Sequence, residues 1–463
     1  MTRKFIHPYI PNSVPEVQQE MLQEIGVKAI DEFYECIPVE QKVQGKLDLP
    51  DPLLSEAALK RHVEGILARN QPAGNMISFL GGGCWDHHVP AVCDEIAARS
   101  EFLTAYAGEP YEDHGRFQAL FEYASMMAEL LDVEVVNIPT YDGSQAAATA
   151  LSMACRITGR PEVLVAASTA PDRLSVIKGY LYPDIKVNLF DYDTDTGLAD
   201  LDDLSARLSN QTAAVYFENP AFLGYLETRG RKISALAHER GALSVVWTDP
   251  ASLGVLSPPS AYGADLTCGE IQPLGIHMFM GGGRAGFIGA PDDERYIKEY
   301  PSRLFGIAPT THREWGFGDV AWERTSFASR ETSKEFVGTA SALWGITAGV
   351  YLALMGPEGM RELGENCIKR TRYALNKMAE LPGIKAPVIG THFFKEFVVN
   401  FDGCGKTVAH INAELLSRGI MGGLDLSQNY PGMGQSALYS LTEKRSREDI
   451  DCLVNELEKI LST

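Results

Sequence analysis

ALSVVWTDPASLGVLSPPSAYGADLTCGE, residues 242–270, decides the fold. Two short runs rich in apolar and β-branched residues, 242–249 and 264–270, flank a segment holding three prolines and two glycines. Such runs, bounded by turn residues, read as strands buried on both faces. The same pattern occurs at PEVLVAAS (161–168), IKVNLFDY (185–192), TAAVYFEN (212–219) and AGFIGA (285–290), with helical candidates Leu201–Leu208 and Ile233–Arg240 between. Strands alternating with helices at this interval predict an α/β domain whose mostly parallel sheet is covered on both sides.

Past about residue 335 the order changes. A long apolar helix, SALWGITAGVYLALMG (341–356), ends at a glycine, and a second helix opens at Pro357 and Glu358. Strand EFVVNF, a helix through Leu415 and Leu416, strand ALYSLT and a closing helix follow. Ser446 is the expected N-cap of that last helix, with Asp449 three residues on and Ile450, Leu453, Val454, Leu457 and Leu461 along one face. The pattern predicts a small α+β lobe. At the other end, residues 1–75 form an arm with a proline-started helix capped around Ser13–Glu16 and stopped by Gly26. The expected division is therefore arm 1–75, large domain 76–330 and small domain 331–463.

The chain has 463 residues, too many for one core, because single cores stop growing near roughly 250–300 residues. Sixty-one acidic residues against 41 basic give a formal charge of −20, which repels phosphate backbones and excludes nucleic-acid binding. No charge-free apolar run of about 18 residues is present, and the first residues lack a signal core, so a cytoplasmic protein without a membrane span is expected. Eight scattered cysteines without a C-x-x-C pair are expected to be reduced thiols. Asp86, His87 and His88 could suggest metal, but adjacent histidines splay apart and no ligand spacing follows, so no metal is expected.

Several strings are more specific: SFLGGGCWDHHVPAV, RSEFLTAY, GRFQALFEYASMMAELLDVEVVN, YDGSQAAATAL, DPASLGVLSPPSAYGAD, GEIQPLGI, YLALMGPEGMRELGE and LTEKRSREDID. They resemble, in order and over nearly the whole chain, the glycine dehydrogenase (decarboxylating) subunit 1 family, the alpha or N-terminal-half subunit of the P-protein of the glycine cleavage system. The resemblance implies a fold-type I pyridoxal-phosphate transferase architecture: a large mostly parallel sheet lobe plus a small C-terminal α+β lobe. It also implies a heterotetramer in which a beta subunit carries the Schiff-base lysine and binds pyridoxal phosphate covalently. That complex would decarboxylate glycine and pass an aminomethyl group to the lipoyl arm of H-protein.

Laid on the family pattern, with Gly281–Gly283 as the glycine run, Gln272 falls where the lysine would be, and no lysine occurs between Lys232 and Lys298. An amide cannot form an imine, because its nitrogen lone pair is delocalised into the carbonyl; it only donates and accepts hydrogen bonds. No catalytic residue is therefore expected on this chain. Gly143 and Ser144, between a strand end and the helix QAAATALSMA, point backbone amides at an anion, the turn that holds the phosphate in fold-type I enzymes; simple capping of the helix by Asp142 or Ser144 is the other reading. Asp249 sits where such enzymes keep the carboxylate facing the pyridine nitrogen; a turn before Pro250 is the alternative. His277 suits a shared interface or a structural role, and Arg284 after the glycines offers a cation for a carboxylate or phosphate.

The resemblance departs in AGEPYEDHGRFQALFEYA, where Glu109, Glu112, Asp113 and His114 enter, and in RETSKEFVGTAS (330–341). These loops would face the partner or the substrate route. Two further functions stay open at this point: a paralogue acting on another amine or amino acid, and a non-catalytic ligand-binding or regulatory protein. A self-sufficient enzyme holding its coenzyme noncovalently through Arg284, His277 and Asp249 is a third.

Overall fold

The computed structural model describes residues 6–7, 9–45, 47–103, 114–319, 334–335, 337 and 341–462. Glu109, Glu112, Asp113 and most of 330–341, singled out above, lie outside the described residues. The chain divides into two compact units, Met1–Gln71 and Pro72–Thr463. In the first, the helix Pro15–Ile25 opens on Pro15 and ends at Gly26, whose φ of 83° lets its N–H reach the carbonyls of Leu22 and Gln23. Val14, not Ser13, is the cap residue. The Oγ of Ser13 accepts from the His7 amide at 2.9 Å.

The second unit opens with β1 (Ile77–Ser78). Its main sheet has seven strands: β2 (Val135–Val136), β3 (Glu162–Ala166), β4 (Lys186–Phe190), β5 (Thr212–Glu218), β6 (Leu243–Thr248), β7 (Leu266–Glu270) and β8 (Gly286–Ala290), in the order β2-β8-β7-β6-β5-β3-β4. Strands β4, β3, β5, β6 and β7 run parallel, while β8 is antiparallel to β7 and to β2. Alternate residues of one strand enter opposite cores. Val163 and Val165 pack with the helix Gly143–Thr158, whereas Leu164 and Ala166 pack with Ile233 and Ala237 of the helix Gly230–Glu239. Burial on both faces explains why these strands are continuous apolar runs rather than alternating ones. The helix Gly143–Thr158 lies close on the sheet because it presents alanines; Ala146, Ala147, Ala148 and Ala150 are all buried.

A hairpin, β9 (Phe305–Pro309) and β10 (Trp315–Asp319), follows. The C-terminal region adds β11 (Glu396–Asn400), β12 (Ile420–Met421), β13 (Leu424–Asp425) and β14 (Ser436–Ser440), with β11-β14-β13 forming an antiparallel sheet. β12 pairs in parallel with β1, which brings the segment just after Ser78 to this small sheet. The closing helix has its capping box: Asp449 N–H donates to Ser446 Oγ at 3.0 Å and Ser446 N–H to Asp449 Oδ2 at 2.9 Å.

The long helix Ala342–Ala379 bends at Gly356, with φ 57° and ψ −175°, immediately before Pro357. That backbone conformation is open almost only to glycine. A Cβ there would meet nothing within 4 Å, so the cost of adding one is conformational and not steric. Gly356→Ala is expected to lower stability by about 1–3 kcal/mol, read from chemical denaturation of the purified chain.

Candidate functional site

Gln272 follows β7 and is buried. Its Nε2 donates to the carbonyls of Trp85 (3.0 Å) and Ile276 (2.9 Å), and its Oε1 accepts from the Trp85 amide at 3.0 Å. Both amide hydrogens and the oxygen are used, so the side chain clasps the backbone of Trp85 from both sides. A lysine could make neither the accepting bond nor this two-way grip.

Two residues upstream, Glu270 is fully buried at the end of β7. Oε2 accepts from Gly143 N–H (2.9 Å) and Arg284 Nε (3.0 Å), and Oε1 from Ala285 N–H (2.6 Å) and Gln272 N–H (3.2 Å). Burial raises the Glu270 carboxyl above its ordinary range, against the pull of Arg284 and of the Ala285 and Gly143 amides. Two residues of the expected anion site, Gly143 and Arg284, are thus turned onto a carboxylate of the chain itself. Ser144 is buried directly behind Gly143. Asp142 caps the helix, its Oδ1 accepting from Gln145 N–H at 2.7 Å. A glycine suits position 143, because a Cβ would sit tightly at 3.0 Å from Glu270 Cβ and 3.1 Å from the Gly269 carbonyl.

Asp249 directly follows β6, and its Oδ2, buried, has a charged neighbour but no hydrogen bond among the described residues. Oδ1 accepts from Ala251 N–H at 3.0 Å, making the turn before Pro250, and Oδ2 forms an ion pair with Lys395 Nζ at 2.6 Å. Lys395, just before β11, is buried; its Nζ also lies 3.0 Å from His87 Nε2 and 3.5 Å from the centre of the Trp85 ring. His87 Nδ1 meets Glu443 Oε2 at 2.6 Å, and Glu443 Oε1 accepts from His88 N–H at 2.7 Å. Burial alone would raise the Glu443 carboxyl, but His87 and the His88 amide outweigh it and bring it from 4.5 down to about 2. His87, Cys367 and Glu443 place ligand-type atoms within 4.8 Å of one another. Both imidazole nitrogens are already hydrogen-bonded, however, and an ammonium stands beside one of them, an arrangement of a proton network and not of a cation's ligands.

The cavity bounded by Asp249, Lys395, Trp85, Trp247, Arg173 and Glu218 measures about 20 Å³. Arg173 and Glu218 form a buried ion pair, and the guanidinium stacks 4.1 Å above Trp247. The residues present do not fit the coenzyme that the sequence resemblance implies. There is no amine at Gln272, the carboxylate for a ring nitrogen already faces Lys395, the amide for a phosphate already holds Glu270, and the space admits one water. The same pairings leave Arg284 and Asp249 unavailable to hold a coenzyme noncovalently.

His277 stands apart from this buried cluster. It is half exposed and pairs with Asp94, Nε2 to Oδ1 2.9 Å. The glycine run shapes its turn: Gly281 has φ 86°, and a Cβ on Gly283 would lie 1.9 Å from the His277 carbonyl oxygen. Sequence reasoning missed Lys395, Glu270 and Glu443. A signal existed for the first: FFKEFVVNF sets a charged pair inside an apolar strand, and buried charges require partners.

A family model described as "Glycine cleavage system P-protein" matches residues 7–457. The chain is 37% identical over 465 residues to "Probable glycine dehydrogenase (decarboxylating) subunit 1" of Staphylothermus marinus, covering 98% of both chains. It is also 37% identical to the protein of that name from Carboxydothermus hydrogenoformans, over 97% of this chain and 99% of the relative. A crystal structure of glycine decarboxylase (P-protein) of the glycine cleavage system, in inhibitor-bound form, superposes with TM-score 0.83 at 33% identity, covering 98% of this chain and 100% of that one. A sphingosine-1-phosphate lyase from Burkholderia pseudomallei shares the fold at 12% identity, TM-score 0.63, over 92% of this chain and 94% of its own.

Gln272→Ala leaves the Trp85 amide and the Ile276 carbonyl without partners, while the Trp85 carbonyl keeps the His87 amide at 2.9 Å; the change is expected to cost about 2 kcal/mol or more, read from denaturant midpoints. Glu443 gives a pH test. Its folded-state pKa is depressed, so the stability it contributes is present above its ordinary value of 4.5 and is lost as pH falls toward about 2. Melting curves across that window should show a loss of the order of 3 kcal/mol that is absent from Glu443→Gln.

Proposed function

The chain belongs to the glycine cleavage system P-protein family, and from that premise we propose that it works as the alpha subunit (subunit 1) of a glycine dehydrogenase (decarboxylating) whose reactive amine is on another chain. A beta subunit bearing the lysine holds pyridoxal phosphate, which supplies the electron sink for losing the carboxylate of glycine. The product aminomethyl group passes to the lipoyl arm of H-protein. This subunit contributes no group to bond making. It supplies a fixed surface against which the partner's site is completed, and the complex resides in the cytoplasm. Among the described residues no helix is long and apolar enough to cross a membrane.

One observation carries the reading: the side chain at the lysine position is an amide whose hydrogen bonds are all spent on Trp85 and Ile276. Such a group cannot be recruited for chemistry without dismantling the segment it holds. Gly143, Ser144, Asp249 and Arg284 are read as relics of a coenzyme site, and His277, half exposed on the far side of the glycine turn, as an interface residue. The 33% identity to the inhibitor-bound P-protein over 98% of this chain supports the assignment to glycine rather than to another amine.

The test is reconstitution. The purified chain alone should show neither coenzyme absorbance nor glycine-dependent exchange of bicarbonate in the presence of lipoylated H-protein. Adding the separately purified lysine-bearing subunit should produce exchange, with an optimum near equimolar mixing. Turnover by this chain alone, or full activity of the other subunit without it, would overturn the proposal.

A further inference from the structure

We propose that the coenzyme pocket of this chain is filled from within: Lys395 stands at Asp249 in place of a cationic ring, and Glu270 stands at the helix N-terminus in place of a phosphate. The proposal rests on reading Asp249 and Gly143 as relics of coenzyme contacts, and it explains how a pocket shaped for a charged ligand persists without one.

The two ends are matched in charge. A carboxylate at the end of β6 meets an ammonium at 2.6 Å, and the amide at the start of the helix Gly143–Thr158 meets a carboxylate at 2.9 Å, backed by Arg284 at 3.0 Å. Each pairing satisfies a group that would otherwise be charged or polar and dry. Each also repels the ligand it replaces. A second cation brought to Asp249 would be forced against Nζ of Lys395, and a phosphate brought to Gly143 against the oxygens of Glu270. The residual cavity of about 20 Å³ has room for one water, and Arg173 Nε, Glu218 Oε2, Trp247 Nε1, Trp85 Nε1 and Asp249 Oδ2, which lack a hydrogen-bond partner, are on residues that line it.

The filling groups come from different parts of the fold, so they also fasten it. Lys395 precedes β11 of the small sheet, while Asp249 follows β6 of the large one. The segment Gly82–His88 runs between the two sets of partners. Glu396 Oε1 accepts from Gly82 N–H at 2.7 Å, Gln272 grips Trp85, Lys444 and Arg445 reach Asp86 at 2.6 and 3.0 Å, and His87 bridges Lys395 and Glu443. In a coenzyme-dependent subunit the ligand would help hold such lobes together. Here side chains do it permanently.

Chemical rescue tests this on the isolated full chain, with no partner and no turnover, so its failure is separable from failure of the functional reading. Thermal melts of the native chain should not shift with pyridoxal phosphate. Lys395→Ala should melt roughly 5 °C or more lower, and propylammonium should restore at least half of the loss while propanol restores none. Lys395→Met, which keeps the volume but not the charge, should stay low; it also covers the case in which the alanine variant does not fold. Stabilisation of the native chain by pyridoxal phosphate, Lys395→Met melting with the native chain, or propanol rescuing as well as propylammonium would each overturn the proposal.

Discussion

No ionised group stays buried in a protein without a counter-charge or a set of hydrogen-bond donors. That constraint organises the middle of this chain. Asp249, Lys395, Glu270, Arg173 and Glu218 lie at or near full burial and Arg284 is partly buried, and every one is opposed by a partner of the other sign. The arrangement is demanding because each member depends on a residue from another element of the fold, 14, 45 or 146 positions away. Deleting one partner strands the other, whereas the pair together is nearly neutral. The seven-stranded sheet provides the rigid frame on which such matched placement is possible: Glu218, Asp249 and Glu270 stand at the ends of three neighbouring strands, β5, β6 and β7.

On the proposal made above, the glutamine at position 272 is one part of a coherent change. An amide in place of an amine removes covalent chemistry, but by itself it would leave an open, charged hollow. The clasp on Trp85, the ammonium at Asp249 and the carboxylate at Gly143 together convert the hollow into packed structure. The division of labour proposed for the complex then has a physical basis. In that proposal one chain keeps the reactive centre, and the other keeps the fold of such a centre with its interior closed.

Much of the fold was legible in the sequence because the strands are buried on both faces. Thr212–Glu218 and Leu243–Thr248 announce themselves as unbroken apolar runs, and Gly26, Gly356 and Ser446 mark helix ends by the backbone or side-chain chemistry each position needs. The cap of the helix Gly143–Thr158 was legible as one of two readings of that turn, with Asp142 or Ser144 as its candidate, and Asp142 fills it. The pairing was not. Nothing local says that Lys395 meets Asp249 or that Glu443 meets His87, since these contacts join residues 146 and 356 positions apart in the chain.

The creased helix carries a consequence of its own. Before and just after Gly356 it contributes Ala348, Tyr351, Leu352 and Met360 to the core that includes Ile271 and Phe287, and farther on Ala374 and Met378 to the core of Phe397 and Tyr439. One rod is thereby mortared into two walls. Melting either core frees an end of the element that supports the other, so heat should be absorbed in a single calorimetric peak, and the two lobes should not yield to a protease one after the other.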